Sequence, residues 1–263
     1  MASLMANVRS LLHPLRVAAG RFVITSPDTD GPSVITGAAN SSIIYKAAQI
    51  TSAEQVAGDY LEFGVFRGTS FIEAFHTIKR VYEFRASDPD SIHTREYRAG
   101  VAQCWKDFRF FNFDSFQGLP VVKWVDTQSS DFTGGKFSCS LDSFLGNIGQ
   151  HGVDMGRVVA VPGWFNDSCS KVTLAKYNMK AASIIHIDCD LYESARTVLK
   201  FISPLLVDGT VLIFDDWYCY RGNPNAGEQR AFREWTAQMG GWLFTEYQKE
   251  GPWRNSFITS RVP

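Results

Sequence analysis

The chain has 263 residues, of which 45% are hydrophobic and 20% are charged. This composition is typical of a folded globular protein with one large core, and it excludes an intrinsically disordered chain. The 26 Lys and Arg residues nearly balance the 27 Asp and Glu residues, so no net field attracts nucleic acid or an anionic membrane. The composition therefore favours a small-molecule partner.

The first fifty residues precede the regular alternation of strand and helix patterns. Residues 1–20 are mildly amphipathic, and four residues interrupt their apolar run: Arg9, His13, Pro14 and Arg16. This pattern predicts a surface helix rather than a signal peptide or a membrane span. We expect residues 1–50 to form a helical arm or lid and residues 51–263 to form the main domain.

Cysteine usage indicates the redox compartment. The five cysteines are Cys104, Cys139, Cys169, Cys189 and Cys219. Their number is odd and no Cys-x-x-Cys spacing occurs, which argues against a disulfide framework and against a structural zinc site. We therefore expect a cytoplasmic protein.

From residue 59 onwards, short apolar runs alternate with helical patterns. Strands are predicted at residues 59–65, 108–114, 157–163, 182–188 and 209–216. Helices are predicted at residues 70–81, at 140–152 with Ser140 as cap, from 192 to near Pro204, and at 227–240. Residues 241–248 and 255–261 alternate like antiparallel neighbours. Apolar strands that alternate with helices indicate a parallel sheet covered on both faces.

Two long connections interrupt this order, at residues 82–107 and 117–139. The second carries Gly118, Pro120, Gly134 and Gly135, and two aromatic residues expected to be exposed, Trp124 and Phe132. Connections of this length are either lids and binding loops or plain surface excursions.

Acids or glycines stand at or beside the end of each of the five predicted strands. These residues are Glu62 with Gly64, Asp114, Gly163 with Trp164, Asp188, and Asp215 with Asp216. Ligands of parallel sheets bind outside the carboxyl ends of the strands, so the pattern predicts a site at this edge. Helix capping accounts for some of the acids, and Asp190 is the residue that we expect to be such a cap.

The first strand ends in a turn that contains Glu62, Gly64 and Gly68, where glycines allow a ligand to approach the backbone. A dinucleotide fingerprint has glycine where Glu62 stands, so the turn disfavours a hydride-transferring enzyme. Asp114 is either a ribose-binding acid or a turn residue. Trp164 either faces a purine or belongs to the core.

The fourth and fifth strands supply three further carboxylates. If the two strands are neighbours, Asp188, Asp215 and Asp216 converge, and hard oxygen ligands so close together suit Mg²⁺ or Ca²⁺. The alternative is that Asp190 and Asp216 only cap helices. His186 precedes Asp188 by two residues, and it is either a core residue or a general base.

Five segments together resemble the macrocin O-methyltransferase family, whose members use S-adenosylmethionine and magnesium in the tailoring of antibiotic sugars. The segments are "YLEFGVFRGTS", "FDSFQGLP", "VPGWFNDS", "IDCDLYES" and "FDDW". The resemblance extends over roughly residues 58–240 by position and order. "DSFQGLP" and "DLYES" are specific as strings, whereas the glycine turn is not.

The resemblance implies a Rossmann-like class I methyltransferase fold, with a seven-stranded, mostly parallel sheet and helices on both faces. It implies that the S-adenosylmethionine site includes Glu62, Gly64, Gly68, Thr69, Ser70, Asp114, Ser115, Gly163 and Trp164. It further implies that Asp188, Asp215 and Asp216 hold the metal, while Asp190 starts the next helix.

The implied reaction is metal-assisted methyl transfer to a hydroxyl of a sugar or glycosylated natural product. A bound metal lowers the pKa of a weakly acidic hydroxyl, and positioning aligns the oxygen with the methyl group. Asp188, or a residue hydrogen-bonded to it, is our first candidate for the general base, and His186 is the second. Cys189 stands where the family commonly has glycine, and residues 121–136 have no counterpart that aligns. The acceptor is therefore not fixed by the sequence.

Three alternatives stay open. An Asp-x-Asp after an apolar strand also occurs in metal-dependent glycosyltransferases, although that interpretation leaves the glycine turn and the "FDD" strand end unexplained. A catechol-type methyl acceptor also presents vicinal oxygens to a metal. A catalytically silent binding protein with this fold is the third alternative, and a homo-oligomer is not excluded.

Overall fold

The computed structural model describes residues 42–88, 92–122, 126–127 and 132–263. Most of the predicted arm and Trp124 lie outside the described residues. The described fold begins with helix α1 (Ile43–Ala53), which Ser42 caps by accepting a hydrogen bond of 3.2 Å from the amide of Tyr45. The predicted domain boundary at residue 50 therefore falls inside a helix.

In the described part of the chain, seven strands form one sheet. They are β1 (Asp59–Phe63), β2 (Phe110–Asp114), β3 (Val158–Pro162), β4 (Ala182–Ile187), β5 (Val211–Phe214), β6 (Trp242–Glu250) and β7 (Arg254–Arg261). Their order is β3-β2-β1-β4-β5-β7-β6. The first five strands are parallel, and β7 is antiparallel to both β5 and β6. The predicted seven-stranded, mostly parallel sheet is confirmed, as is the antiparallel pair at the carboxyl end.

Helices cover both faces of the sheet because successive strand residues point to opposite sides. On one face, Tyr60 of β1 and Ile184 of β4 pack with α1, α2 (Thr69–Ser87), α3 (Arg95–Asp107) and α4 (Leu141–Gln150). On the other face, Leu61 and Phe63 pack in a second cluster. Its helices are α5 (Phe165–Ser168), α6 (Lys171–Lys176), α7 (Tyr192–Ile202) and α8 (Gly227–Thr236). Within the described ranges, no helix has the length and apolar content needed to cross a membrane.

Two predicted helix boundaries are confirmed by their local chemistry. Ser140 precedes α4, and its hydroxyl accepts a hydrogen bond of 3.2 Å from the amide of Ser143. Helix α7 ends at Ile202, and a 3-10 turn (Ser203–Leu205) follows it around Pro204. Proline lacks the amide that a further turn of α-helix needs, so the predicted stop has its expected cause.

The prediction of a long connection over residues 82–107 is wrong. Helix α2 continues to Ser87, and α3 occupies most of the remainder. Thr94 caps α3 by accepting a hydrogen bond of 3.2 Å from the amide of Tyr97. Tyr97, Val101 and Trp105 recur at four-residue spacing and pack against the hydrophobic cluster that α1 and α2 share with the sheet, but only Val101 is fully buried. So narrow an apolar stripe in a polar segment is a weak helix signal.

The described residues at the two ends of the 117–139 segment are hydrogen-bonded to each other. The amide of Leu119 donates to the carbonyl of Lys136, and the amide of Gly135 donates to the carbonyl of Leu119, both over 2.9 Å. Phe132 is only 7% exposed, and its ring centroid lies 5.6 Å from that of Tyr220. The expectation that Phe132 is exposed is therefore wrong, because the segment packs inward here.

Candidate active site

A cavity of about 760 Å³ lies at the carboxyl ends of β1, β2, β4 and β5. Of the residues predicted from sequence to form a site, the cavity is lined by Gly64, Asp114, Ser115, Trp164, Asp188, Asp215 and Asp216. The cavity walls do not include Glu62, Gly68, Thr69, Ser70, Gly163 or His186. The structure thus divides the predicted residues into a cavity wall and a supporting layer behind it.

Gly64 joins the ends of β1 and β4 at the cavity. Its φ is +87°, and a Cβ atom there would lie 1.8 Å from the carbonyl oxygen of Asp188. The amide of Gly64 donates to the carbonyl of Phe113 over 2.8 Å, and the amide of Asp188 donates to the carbonyl of Phe63 over 2.9 Å. Only glycine fits this position, and its backbone forms part of the cavity wall.

Asp114, at the end of β2, organises the turn that follows β1. Its Oδ2 accepts hydrogen bonds from the amides of Val65 (2.8 Å) and Phe66 (3.2 Å), and its Oδ1 accepts one from Phe116 (2.7 Å). An ionised carboxylate accepts about four hydrogen bonds, so these three leave capacity for a ligand hydroxyl. Asp114 is both a turn residue and a cavity residue.

Gly68 has a packing role at the start of α2. It precedes α2 with φ +82°, and a Cβ there would lie 2.8 Å from Cγ2 of Ile148 and 2.9 Å from Cε2 of Phe144. Helix α4 therefore packs against this residue. Glycine is required at this position because side chains of α4 lie close to its backbone.

Glu62 lies behind the cavity wall and is fully buried. Its Oε1 accepts a hydrogen bond from the hydroxyl of Ser70, and its Oε2 accepts one from the hydroxyl of Tyr60, each over 2.6 Å. Burial raises the pKa of Glu62, while the charge of His186 and these two hydrogen bonds oppose that rise. Both carboxylate oxygens are thus held by the protein.

Trp164 supplies an aromatic wall beside Asp114. It is half-buried and directly precedes α5. Gly163, with φ +135°, donates its amide to the carbonyl of Asp114 over 2.9 Å, so the loop after β3 is fixed to the end of β2. This position is compatible with stacking on a flat ligand and with simple packing.

Asp188 and Asp215 face each other across the ends of β4 and β5. One side-chain ligand atom from each lies within 4.8 Å of the other and of a ring nitrogen of His186. In the described part of the chain, the carboxylate of Asp188 makes no hydrogen bond. Burial raises the pKa of Asp188 well above its ordinary value, and the charges of Asp215 and Asp216 raise it further.

Asp215 is held differently from Asp188. Its Oδ1 lies 3.1 Å from Nε2 of His186 and accepts a hydrogen bond of 2.5 Å from Nε of Arg254. Burial alone would raise the pKa of Asp215, but the contacts with His186 and Arg254 outweigh burial and lower it. At neutral pH this residue is an ionised carboxylate.

The expectation that Asp190 caps the following helix is wrong. Leu191 occupies the cap position and makes no side-chain cap, and the amide of Tyr192 donates instead to Oδ1 of Asp126 over 2.8 Å. Asp190 has φ +61°, which turns its side chain into the cavity. There burial, followed by the charge of Asp216, raises the pKa of Asp190 well above its ordinary value. The left-handed turn, which Asp tolerates better than most residues, separates Asp190 from the helix.

Asp216 completes the carboxylate cluster. Its Oδ1 accepts a weak hydrogen bond from the thiol of Cys219 (3.2 Å), and its amide donates to Oε2 of Glu228 (3.0 Å). Oδ2 of Asp216 and Oε1 of Glu228 are buried and have no hydrogen-bond partner in the described part of the chain. Burial, followed by the charge of Asp215, raises the pKa of Asp216 to about 6.

This cluster fits a hard divalent cation. Carboxylate oxygens are the preferred ligands of Mg²⁺ and Ca²⁺, and like charges this close repel one another unless a cation or protons neutralise them. The carboxylates of Asp188 and Asp215 lie close enough together to share one cation. Asp216, which has a buried oxygen without a partner in the described part of the chain, is the next residue after Asp215.

Sequence reasoning did not identify three acids of this region. Asp126 and Glu193 line the cavity, and Glu228 lies buried beneath Asp216. Asp126 lies in a segment without helix or strand periodicity, so no local signal marks it. Glu228 stands in the first turn of α8, where an acid is usually explained by the helix dipole.

Comparison with known protein families gives a clear match. Residues 99–239, more than half of the chain, match the family described as Macrocin-O-methyltransferase (TylF). The chain belongs to the macrocin O-methyltransferase family. The family match covers Asp114, Trp164 and Asp188, together with the other cavity residues that follow β2.

One curated relative of this chain comes from Streptomyces olivaceus. It is 8-demethyl-8-(2,3-dimethoxy-alpha-L-rhamnosyl)-tetracenomycin-C 4'-O-methyltransferase, and it is 28% identical over 197 residues. The alignment covers 72% of this chain and 65% of that relative. The chain thus spans about two thirds of the relative's length.

Solved structures with similar folds include two O-methyltransferases. The O-methyltransferase NovP superposes with a TM-score of 0.59 at 20% identity, covering 83% of this chain and 78% of NovP. The calicheamicin methyltransferase CalS11 superposes with a TM-score of 0.58 at 21% identity, covering 82% and 77%. These likenesses show that the chain has the Rossmann-like class I methyltransferase fold.

Proposed function

We propose that this protein transfers a methyl group from S-adenosylmethionine to a hydroxyl of a sugar or glycosylated natural product, with help from a divalent cation such as Mg²⁺. One observation carries the proposal. A single cavity has Gly64, Asp114 and Trp164 on one side and the carboxylates of Asp188 and Asp215 on the other. Membership of the macrocin O-methyltransferase family supports the same reaction.

The side formed by β1, β2 and β3 suits the cofactor. S-adenosylmethionine supplies a methyl group made electrophilic by the sulfonium. Gly64 leaves room for the methionine end of the molecule because it has no side chain. Asp114 retains hydrogen-bonding capacity for the ribose, and Trp164 provides a flat surface for the adenine. Glu62 and Ser70 support this wall from behind.

The side formed by β4 and β5 suits the metal. Asp188, Asp215 and Asp216 would hold it. A divalent cation in this position neutralises the carboxylates and lowers the pKa of a hydroxyl that binds beside it. Asp190 lies within the same cavity and directs a further carboxyl group towards Asp216. The relative from Streptomyces olivaceus methylates a rhamnosyl group according to its name, which supports a sugar hydroxyl as the acceptor.

Asp188 is the residue that we assign as general base. Its carboxylate lines the cavity and has no hydrogen-bond partner in the described ranges, so one oxygen would hold the cation while the other would take the proton of the acceptor hydroxyl. His186 is less suited to this role, because it is 1% exposed and does not line the cavity.

The decisive measurement is methylation of a panel of glycosides with isotopically labelled S-adenosylmethionine, read by mass spectrometry with and without a chelator. We expect chelator-sensitive label in a sugar hydroxyl for at least one glycoside, and label in a simple catechol would indicate the catechol-type alternative. The Asp188→Asn variant should lose turnover while still binding S-adenosylhomocysteine. Full turnover and full metal dependence in that variant would contradict the assignment of Asp188.

A second measurement tests the class of enzyme. Calorimetry should detect binding of S-adenosylhomocysteine and no comparable binding of a nucleoside diphosphate. The opposite result would favour a metal-dependent glycosyltransferase. We also propose a cytoplasmic location, in keeping with five unpaired cysteines. The homo-oligomer stays a prediction that size-exclusion chromatography with light scattering can test.

A further inference from the structure

His186 occupies an unusual position for a polar side chain. It lies in β4 opposite Glu62 of β1, and it is only 1% exposed. Both ring nitrogens nevertheless contact polar atoms. Nε2 lies 3.1 Å from Oδ1 of Asp215, and Nδ1 lies 3.4 Å from the hydroxyl of Tyr60. A buried histidine with a partner for each nitrogen has a fixed ring orientation.

Behind Nδ1 of His186 lies a hydrogen-bonded group formed by Tyr60, Glu62 and Ser70. Tyr60 donates its only hydroxyl proton to Oε2 of Glu62 over 2.6 Å, so its oxygen is left to face Nδ1 of His186. Ser70, in the first turn of α2, donates to the other oxygen of Glu62 over 2.6 Å. All of these groups lie on the face of the sheet that α2 covers, and they hold the imidazole from behind.

At the other end, Asp215 receives two contacts on one oxygen. An ionised carboxylate only accepts hydrogen bonds, so Nε2 of His186 is the donor to Oδ1 of Asp215. Nε of Arg254 donates to the same oxygen, and Arg254 is itself held by Glu250 at 3.0 Å. In the described part of the chain, Oδ2 of Asp215 has no hydrogen bond. One oxygen is therefore fixed by the protein and the other is free.

We propose that His186 is a positioning residue for Asp215: it orients the carboxylate so that the free oxygen meets the divalent cation. The inference rests on the proposed function, since it assumes the cation site of Asp188 and Asp215. It differs from a direct role of His186 as metal ligand or general base. A ligand or base would need a ring nitrogen open to the cavity, whereas both nitrogens are engaged by Asp215 and Tyr60.

The expected loss of metal affinity follows from the rotation of the Asp215 carboxylate that His186 prevents. Without it, Arg254 alone constrains Asp215, and the carboxylate can rotate about its terminal bond. Loss of a hydrogen-bonding partner behind a metal ligand typically weakens metal binding by about 10- to 100-fold. A glutamine carries a donor nitrogen at a reach close to that of imidazole Nε2, so it should preserve most of the orientation.

The test is Mn²⁺ binding to the full chain without acceptor, measured by electron paramagnetic resonance. We expect His186→Leu to weaken binding by about 10- to 100-fold and His186→Gln by less than about threefold. Tyr60→Phe, which keeps the buried ring and removes only the hydroxyl, should have a small effect in the same direction. His76→Leu is the control, because His76 is exposed and contacts the carbonyl of His151 instead.

Three outcomes would overturn the positioning role. The first is wild-type Mn²⁺ affinity in a folded His186→Leu protein. The second is an equal loss in His186→Gln and His186→Leu. The third is a ¹⁴N coupling of a directly bound imidazole in the pulsed spectrum of wild-type protein. If His186→Leu does not fold, wild-type affinity in Tyr60→Phe together with a large loss in His186→Gln would count against the proposal.

The proposed function fails in a distinguishable way. If wild-type protein binds neither Mn²⁺ nor S-adenosylhomocysteine, the methyltransferase assignment is wrong whatever His186 does. If wild-type protein binds both and the His186 variants bind Mn²⁺ equally well, only the positioning role is wrong.

Discussion

Oδ1 of Asp126 accepts a hydrogen bond of 2.8 Å from the amide of Tyr192, so a residue of the 117–139 segment caps helix α7. The two residues are 66 positions apart in the chain. The same oxygen lies 3.4 Å from the hydroxyl of Tyr220, and this hydroxyl donates its proton to the carbonyl of Asp190 over 3.1 Å. This contact ties the segment to the helix that begins beside the carboxylate cluster.

Replacing Asp126 by alanine should therefore destabilise the protein. Loss of an N-cap typically lowers the free energy of unfolding by about 1 kcal/mol, within a range of about 0.5 to 2. Asp126→Asn retains a side-chain oxygen that accepts from the amide of Tyr192, so it should lose much less stability. Urea denaturation of the three proteins measures both effects. Equal losses in the alanine and asparagine variants would show that the cap is not what Asp126 contributes.

Asp190 combines a left-handed backbone with a cavity-facing carboxyl group, and two substitutions separate these features. Asp190→Gly removes the carboxyl group and suits φ +61°, whereas Asp190→Ala removes it and keeps the strain. We expect the glycine variant to be more stable than the alanine variant by about 1 kcal/mol. Both should lose most turnover if the carboxyl group acts in the cavity. Thermal denaturation and methylation assays measure the two effects independently, and full turnover in the glycine variant would contradict a role for the carboxyl group.

Because Gly64 lies so close to Asp188, adding a single methyl group to Gly64 should strongly destabilise the protein. In Gly64→Ala the new Cβ would lie 1.8 Å from the carbonyl oxygen of Asp188, in a backbone conformation unfavourable for alanine. We expect a loss of about 3 kcal/mol or more in the free energy of unfolding, from overpacking and backbone strain together. Gly146→Ala is the matched control. A Cβ there meets no atom within 4 Å in α4, so it should stabilise the protein by about 0.5 to 1 kcal/mol.

Removal of the metal should make stability depend on pH through Asp216. Its pKa rises from 3.8 to about 6 in the folded protein, because of burial and then the charge of Asp215. Between these values the folded state binds more protons than the unfolded state, so stability falls as the pH rises. In chelator, Asp216→Asn should therefore be more stable than wild type at pH 7, by about 1 to 3 kcal/mol.

Thermal denaturation from pH 4 to pH 7.5, with chelator and with Mg²⁺, measures this dependence. Asp188 also has a raised pKa, so the variant should keep part of the pH dependence. Added Mg²⁺ should stabilise wild type more than Asp216→Asn. If wild type and Asp216→Asn show the same pH dependence of stability in chelator, Asp216 does not contribute to it.

The sheet and four of the eight described helices, α2, α4, α7 and α8, could be predicted from the sequence because their signals are local. Apolar runs such as residues 182–188 identify buried strands, and Ser140 and Pro204 mark helix ends through chemistry within a few residues. Helix α3 was missed, since most of its surface faces solvent and only Val101 is fully buried. Hydrophobic periodicity reports burial and is weak for a helix of this kind.

The composition of the candidate site could be predicted in part. The order of the strands in a parallel sheet places Asp114, Asp188 and Asp215 at one edge, so their meeting follows from the predicted fold. The role of each residue could not be predicted from the fold. Gly68 is required by α4, Glu62 lies behind the cavity, and the carboxyl group of Asp190 faces Asp216.

The sequence by itself determined the class of fold, the family and the residue types available at the sheet edge. These properties depend on local periodicity and on motifs in fixed order along the chain. Only the tertiary structure decided that Asp126 caps α7, that His186 faces Asp215, and that Glu228 lies under Asp216. Each of these contacts joins segments that are distant in sequence. The geometry of each contact depends on side-chain directions and backbone turns, which a local sequence pattern does not specify.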